Sequence, residues 1–447
     1  MTSAPRFERD LPELLAELAA GAPPNYRDDI VQRVAVTPQR PAWTFPEGWL
    51  PMAILSRRLA VAYNVPWRSF AIVALLAALL AVALSVFVAS QPRVPAPFGL
   101  ASNGAIAYSL GGDIVVRDGP TGVVRTLVAG PGEDITPTFS LDGTKIGFVR
   151  LSDDLRPTAT LMVVDADGRN LRTVAGPERG LDWWVWSPSG KEMAIVSNAD
   201  VAQLSIVNTE GEPNRRVIDL PIAPEIVEWR PPDGRELIIR GISGFGYSLF
   251  AVRPDGSGFR QLAPDIGHAR QYLAPLALSP DGRLLAYGSM DDADVHLRLH
   301  LLDLETGADS LRAAGSPPLS AQAGTLVHDG SPAFSPDGTS LIYNRYFNER
   351  DGLITAQVFS GPLQGPDRPI SASQEIPSGT QSLYFQFSPD GASVLMRREL
   401  DGTTVPPVPQ PQVMNPNEIW IADLQADGAE SLGWTVDGPP AWQRRAP

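Results

Sequence analysis

The chain contains no cysteine in its 447 residues. Disulfide frameworks, thiol nucleophiles and cysteine-ligated zinc or iron–sulfur centres are therefore excluded. Histidine is scarce, with His268, His296, His300 and His328 the only imidazoles. His296 and His300 fall on an alternating stretch, 295–302, where residues four apart on a strand lie about 13 Å from each other. They cannot hold one metal ion unaided. The neighbouring Asp291, Asp292 and Asp294 read as a solvated hairpin loop. No Gly-x-Ser-x-Gly elbow is present, and neither a Walker loop nor a dinucleotide-binding glycine fingerprint appears. Asp165-Ala166-Asp167-Gly168 starts like a calcium loop but lacks the later glutamate ligand, and reads as a hairpin turn. These absences lead to an expectation of no cofactor, no metal, no catalytic residue and no enzymatic activity.

Lysine is almost missing too: Lys145 and Lys191 are the only two. The formal net charge is −14. Residues 1–68 hold 8 Arg against 7 acidic residues, so the acidic excess belongs to the remainder. Phosphate backbones require clustered Lys and Arg, so nucleic acid is not expected as a partner. Abundance lies elsewhere. Proline and glycine number 44 and 40 without collagen periodicity, which suits a turn-rich all-β chain.

Residues 1–68 predict short helices. Asp10 and Glu13 make a capping signal, and Leu11, Leu14, Leu15 and Leu18 form one apolar stripe. Residues 70–89 are apolar throughout, without charge or proline, and long enough to cross about 30 Å of hydrocarbon as a helix. Arg57, Arg58 and Arg68 precede that run, and Arg93 stands alone after it. The positive-inside tendency then places the N-terminus in the cytoplasm. The expected layout is a cytoplasmic helical segment over 1–68, a transmembrane helix over 69–90, a Pro-rich linker over 91–103 and a β domain over 104–447. On this layout the protein is single-pass in the cell membrane, with its β domain extracytoplasmic.

One phrase organises residues 104–447: Phe334-Ser335-Pro336-Asp337-Gly338. It returns at Phe387–Gly391 and Leu278–Gly282, and more loosely at Phe139–Gly143, Trp186–Gly190 and Trp229–Gly234. Each copy ends a strand, places Pro and Gly where a turn requires them, and leads into a new apolar run. The turn glycines recur at intervals of roughly 45–55 residues, the period of a four-stranded propeller blade. Three strands after Gly104 lack their leading phrase, and Pro439-Pro440-Ala441-Trp442 is a leading phrase without followers. The C-terminus is therefore expected to supply the inner strand of the first blade. Six full copies and one shared blade predict an all-β, seven-bladed β-propeller.

The phrase and its spacing resemble the repeats of TolB-type, WD-like propellers, whose consensus is an aromatic residue, Ser-Pro-Asp-Gly and an apolar strand. Met162-Val163-Val164-Asp165 matches the third strand of that family. The resemblance covers residues 104–447 and implies fold rather than activity. Ser189 replaces the Asp in one copy, Pro231-Pro232 inserts a residue in another, and the usual blade count of the family is six. The propellers of prolyl oligopeptidases are also similar, but the likeness stops at the propeller.

Asp134, Asp329 and Asp437 each stand five residues before the strand-ending aromatic, while Asp182 and Glu225 stand four before theirs. All five enter inner strands and can gather at one channel mouth. Two readings stay open: an acidic rim for a cation or basic peptide, or side chains bonded to their own turns. The functional expectation is a non-catalytic scaffold binding a protein, peptide or glycan on the propeller. The alternative is transmembrane signalling by an anti-sigma-like protein, with a cytoplasmic regulator on residues 1–68. A hydrolase or lyase acting at the channel mouth is third.

Overall fold

The computed structural model describes residues 71–81 and 96–446, apart from 155, 212–213, 245, 264–265, 267–275, 291–296, 313–325, 349–353, 376–383, 400–416 and 427. Contacts divide the chain into two units, Met1–Gln91 and Pro92–Pro447. In the first unit, residues 71–81 form a helix whose every residue is exposed, including Ile72, Leu76 and Leu80. The described stretch is about 16 Å long at 1.5 Å per residue. No helix among the described residues is long and apolar enough to cross a membrane. The expected span over 69–90, and the single-pass placement built on it, are corrected accordingly. The helices predicted in 1–68 lie outside the described residues, as do His268, His296, the Asp291–Asp294 loop and residues 401–416.

The second unit bears out the repeat. Seven antiparallel sheets follow in sequence order, six four-stranded and the sixth five-stranded. Blades 2 to 7 open on the inner strands Glu133–Phe139, Leu181–Trp186, Ala223–Trp229, Ala277–Leu278, Leu326–Phe334 and Phe385–Phe387. Blade 1 takes its inner strand from the other end of the array. Ala441–Arg445 pairs antiparallel with Ser102–Leu110, with Ala107 opposite Ala441 and Ile106 opposite Trp442. Trp442 is buried, and its indole NH donates to the Gly104 carbonyl at 3.3 Å.

Period-2 alternation gives every strand two faces, and both are apolar because each blade is packed between two others. A separate core fills each junction. Ile114, Ile146 and Phe148 join blades 1 and 2; Val163 and Ile195 join 2 and 3; Ile206, Trp229 and Ile239 join 3 and 4. Leu249 and Leu285 join blades 4 and 5, Leu301 and Leu341 join 5 and 6, and Ile342 and Val394 join 6 and 7. Tyr108 and Trp442 meet Ile419 and Trp434 across blades 1 and 7, which closes the ring.

The recurring phrase forms a second ring at one mouth. In four copies the Ser hydroxyl donates to the Asp two residues on at 2.5 Å, and that Asp also accepts the backbone NH two residues beyond it. The glycine that follows has positive φ and lies against the previous blade's turn. Gly338 faces Pro280, Gly391 faces Pro336, and Gly234 faces Pro188. At Gly282, φ +71°, a Cβ would sit 1.9 Å from the Pro231 carbonyl oxygen. Both the backbone conformation and the space demand glycine. Gly282→Ala should therefore cost at least about 2 kcal/mol in a urea titration; a loss below about 0.5 kcal/mol would show that the turns do not bear on each other.

Blade 1 cannot carry such a turn, because its inner and second strands come from opposite ends of the array. Residues 96–103 occupy the place instead. Ala101 NH donates to Pro389 O at 2.9 Å, and the Asn103 amide exchanges hydrogen bonds of 2.8 and 3.1 Å with Asp390. Arg444 donates to the carbonyls of Ala96 and Gly99 at 3.1 and 2.7 Å.

Candidate functional site

The two mouths of the ring differ in chemistry. At the mouth where inner strands begin, the acidic side chains meet arginines of the neighbouring strand. Asp134 is fully buried and accepts two hydrogen bonds from Arg150 at 2.6 and 2.7 Å. Asp329 accepts two from Arg345 at 2.6 and 2.8 Å. Burial raises both carboxyls above the ordinary aspartate range, against the pull of the guanidinium beside each. Glu225 lies 3.4 Å from Arg240 and accepts from the Tyr247 hydroxyl at 3.3 Å.

Inner-strand geometry makes these pairs possible. The register slips between Ile135 and Thr138 and between Gly330 and Ala333. Thr136 and Ser331, each followed by proline, sit in the left-handed region at φ 51° and 53°. The bulge leaves each Asp directly opposite its Arg. The same strained step recurs in two blades, so it belongs to the repeat.

In blade 6 the pair extends into a buried chain. Arg345 also donates to the Tyr343 hydroxyl at 2.9 Å, and Tyr343 donates to Asp367 at 2.8 Å. Asp367 pairs with Arg312, which donates to the Pro362 carbonyl at 2.8 Å. Arg345 also stacks over Phe359 at 4.6 Å. Two carboxylates and two guanidiniums balance, and burial pushes the Tyr343 hydroxyl far above its usual range.

The remaining candidates differ. Asp437 accepts from the Gly111 NH, so it closes a turn of blade 1. Asp182 is exposed and makes no hydrogen bond or ion pair among the described residues. The structure thus puts all five at inner-strand entrances, with an arginine partner for three of them. Sequence reasoning missed those arginines. The signal was present, since Arg150 and Arg345 each follow their Asp by 16 residues.

Two further groups stand out. Glu228 shares the blade-5 face of its strand with Ile226, makes no hydrogen bond among the described residues, and is pushed up to about 8 by burial. A carboxyl raised above its unfolded value near 4.3 stabilises the fold fully only below that value. The contribution fades as pH climbs toward about 8. Glu228→Gln should flatten this decline, leaving the variant more stable than the parent above pH about 8 in thermal melts; parallel pH profiles for the two proteins would refute the assignment. In blade 5, His300 Nδ1 lies 3.0 Å from Asp309, which also accepts from Tyr287 at 2.9 Å. The buried His300 Nε2 has no hydrogen-bond partner among the described residues. No group of three or more metal-ligating side chains occurs among the described residues.

At the phrase mouth Asp281 and Asp337 are exposed. The Ser279 hydroxyl holds the Asp281 carboxyl below the ordinary range. Asp337 is also lowered: burial would raise it, but hydrogen bonds from Ser335 and Thr339 prevail. Beside them lies a depression of about 760 Å³, walled by residues 96–100 and by the turns of blades 4, 5 and 6. A second, of about 720 Å³, lies between blades 6 and 7 and shares Leu100 and Asp337 with it.

No family model matches the chain. Among curated proteins, it is 24% identical over 221 residues to the uncharacterized peptidase YuxL of Bacillus subtilis (strain 168), covering 48% of this chain and 30% of that protein. The chain thus spans under a third of the length of this relative. Among solved structures, a prolyl endopeptidase matches at 15% identity and TM-score 0.51, over 78% of this chain and 49% of that one. A TolB from Acinetobacter baumannii matches at 14% identity and TM-score 0.44, over 77% of this chain and 81% of that one. The chain is a seven-bladed β-propeller. The relation to YuxL, a protein named as a peptidase, overturns the expectation of a non-enzymatic scaffold.

Proposed function

We propose that the chain acts in peptide hydrolysis, with the propeller as the part that receives and orients the peptide. The observation that carries this reading is the sequence similarity to YuxL over 221 residues. The architecture supports it. Seven apolar junctions make a rigid ring, and rigid scaffolds with open mouths position a flexible substrate at low entropic cost. Charge at the inner-strand mouth is largely compensated by Arg150, Arg240 and Arg345, which leaves the phrase mouth with the exposed carboxylates. The described residues offer no activated hydroxyl, so the contribution argued for the propeller is binding and orientation.

The test is a synthetic peptide library incubated with the full chain, read by mass spectrometry for retained peptides and for new termini. Retention together with shortened peptides is the expected result. A library that comes back neither retained nor shortened would end the proposal, and turnover of an oligosaccharide library alone would move the chain to glycan chemistry.

A further inference from the structure

The depression at the phrase mouth is a composite of both ends of the propeller. Residues 96–103 are tied to blade 7 through Pro389 and Asp390, and to blade 1 through Arg444. The opposite wall belongs to blades 4, 5 and 6, through Pro232, Pro280 and Pro336. In a ring of seven, blades 4 and 5 stand across the axis from blade 1, so the depression spans the axis. Phe98, Leu100 and Leu363 complete a mostly apolar lining. At about 760 Å³ it lies in the size range of ligand sites rather than of packing faults.

The lining carries two carboxylates, Asp281 and Asp337, and one guanidinium, Arg283, whose charge also acts on Asp281. Arg283 is the only cation there, and its guanidinium is held by Asp303 at 2.9 and 2.8 Å. Asp281 and Asp337 each commit Oδ1 to a serine hydroxyl and a backbone NH, while Oδ2 makes no hydrogen bond or ion pair among the described residues. Two carboxylate oxygens are thus fixed in direction by their turns and left for a ligand. Apolar walls with two oriented carboxylates fit a side chain that is aliphatic along its stem and cationic at its tip.

We propose that this axial depression binds a peptide segment carrying an arginine or lysine, with the cation between Asp281 and Asp337 and its flanking apolar residues against Phe98, Leu100 and Leu363. The inference rests on the peptide reading above and deepens it, by naming the mouth that takes the peptide and the residue class it selects. It also separates this mouth from the inner-strand entrances, where Asp134, Glu225 and Asp329 already hold arginines of the chain itself.

The experiment uses the full chain and a blocked tetrapeptide with one arginine between leucine and proline, alongside the same peptide with citrulline for arginine. Binding is measured by calorimetry, which needs no hydrolysis. The variant Asp281→Asn/Asp337→Asn keeps an acceptor oxygen for each turn, and blade 3 already closes its turn with Ser189 in place of Asp. Its thermal midpoint should match the parent. The arginine peptide should bind about five- to tenfold more weakly to the variant, and the citrulline peptide about as weakly to both proteins. Phe98→Ala, which leaves the carboxylates in place, should weaken both peptides alike. Equal binding of arginine and citrulline peptides by the parent, or no change on the double substitution, overturns the site. If the library is shortened while these peptides show no charge dependence, the site falls and the peptidase reading stands. If no peptide of any kind binds or is shortened, both fall.

Discussion

Replacing Arg345 by alanine should destabilise the propeller by about 3–5 kcal/mol, because it leaves the Asp329 carboxylate buried without its cation. The expectation follows from position. Arg345, Asp329, Asp367 and Arg312 are all nearly inaccessible, and Tyr343 links the two ion pairs. Removing one cation exposes the full desolvation penalty of its partner and breaks the hydrogen bond to Tyr343 as well. A urea titration read by tryptophan fluorescence measures the loss. Asp329→Ala should cost a similar amount, and the double variant should cost less than the two losses summed, since the pair then leaves together. Independent, additive losses would mean that the chain of contacts is not coupled. Arg150→Ala in blade 2 provides the graded comparison. Its side chain is 24% exposed against 3% for Arg345, so solvent screens what remains and the cost should be smaller.

Deleting residues 440–447 should have an effect of comparable size and different character. Those residues supply the inner strand of blade 1 and the indole that packs between blades 1 and 7. Losing a buried tryptophan alone costs about 3–5 kcal/mol. The deletion also bares the edge of Ser102–Leu110, and an unpaired apolar edge recruits other strands. The truncated chain should therefore melt earlier and self-associate, as seen by light scattering. A peptide with the sequence of residues 438–447, added in trans, should restore the monomer. A truncated chain that stays monomeric with an unchanged midpoint would show that the ring does not depend on this strand.

Much of the propeller was legible in the sequence because its cause is local and repeated. The Ser-Pro-Asp-Gly phrase specifies a turn through its own atoms, so each copy announces one blade, and the unmatched Ala441-Trp442 announces the closure. The arginine partners were harder to see. A carboxylate at a strand entrance reads as available charge until a bulge, invisible in a single strand's pattern, is known to set it opposite Arg150 or Arg345. The depression at the phrase mouth was beyond reach altogether, since its walls come from residues 96–100 and from blades roughly 130 to 260 residues further along the chain. The membrane reading failed for a different reason. An apolar run establishes that a segment can be helical and greasy, but no helix among the described residues is long and apolar enough to cross a membrane.

Residues 96–103 give the ring a second fastening, set at a different depth from the strand that closes blade 1. The consequence is mechanical. The carbonyls of Ala96 and Gly99, at the rim of the axial depression, are held by Arg444. Tension applied to the chain before Ala96 would reach Phe98 and Leu100 first and the blades only afterwards. The wall of the proposed peptide site is thus also a fastening of the ring, because the residues that line it bond both blade 1 and blade 7.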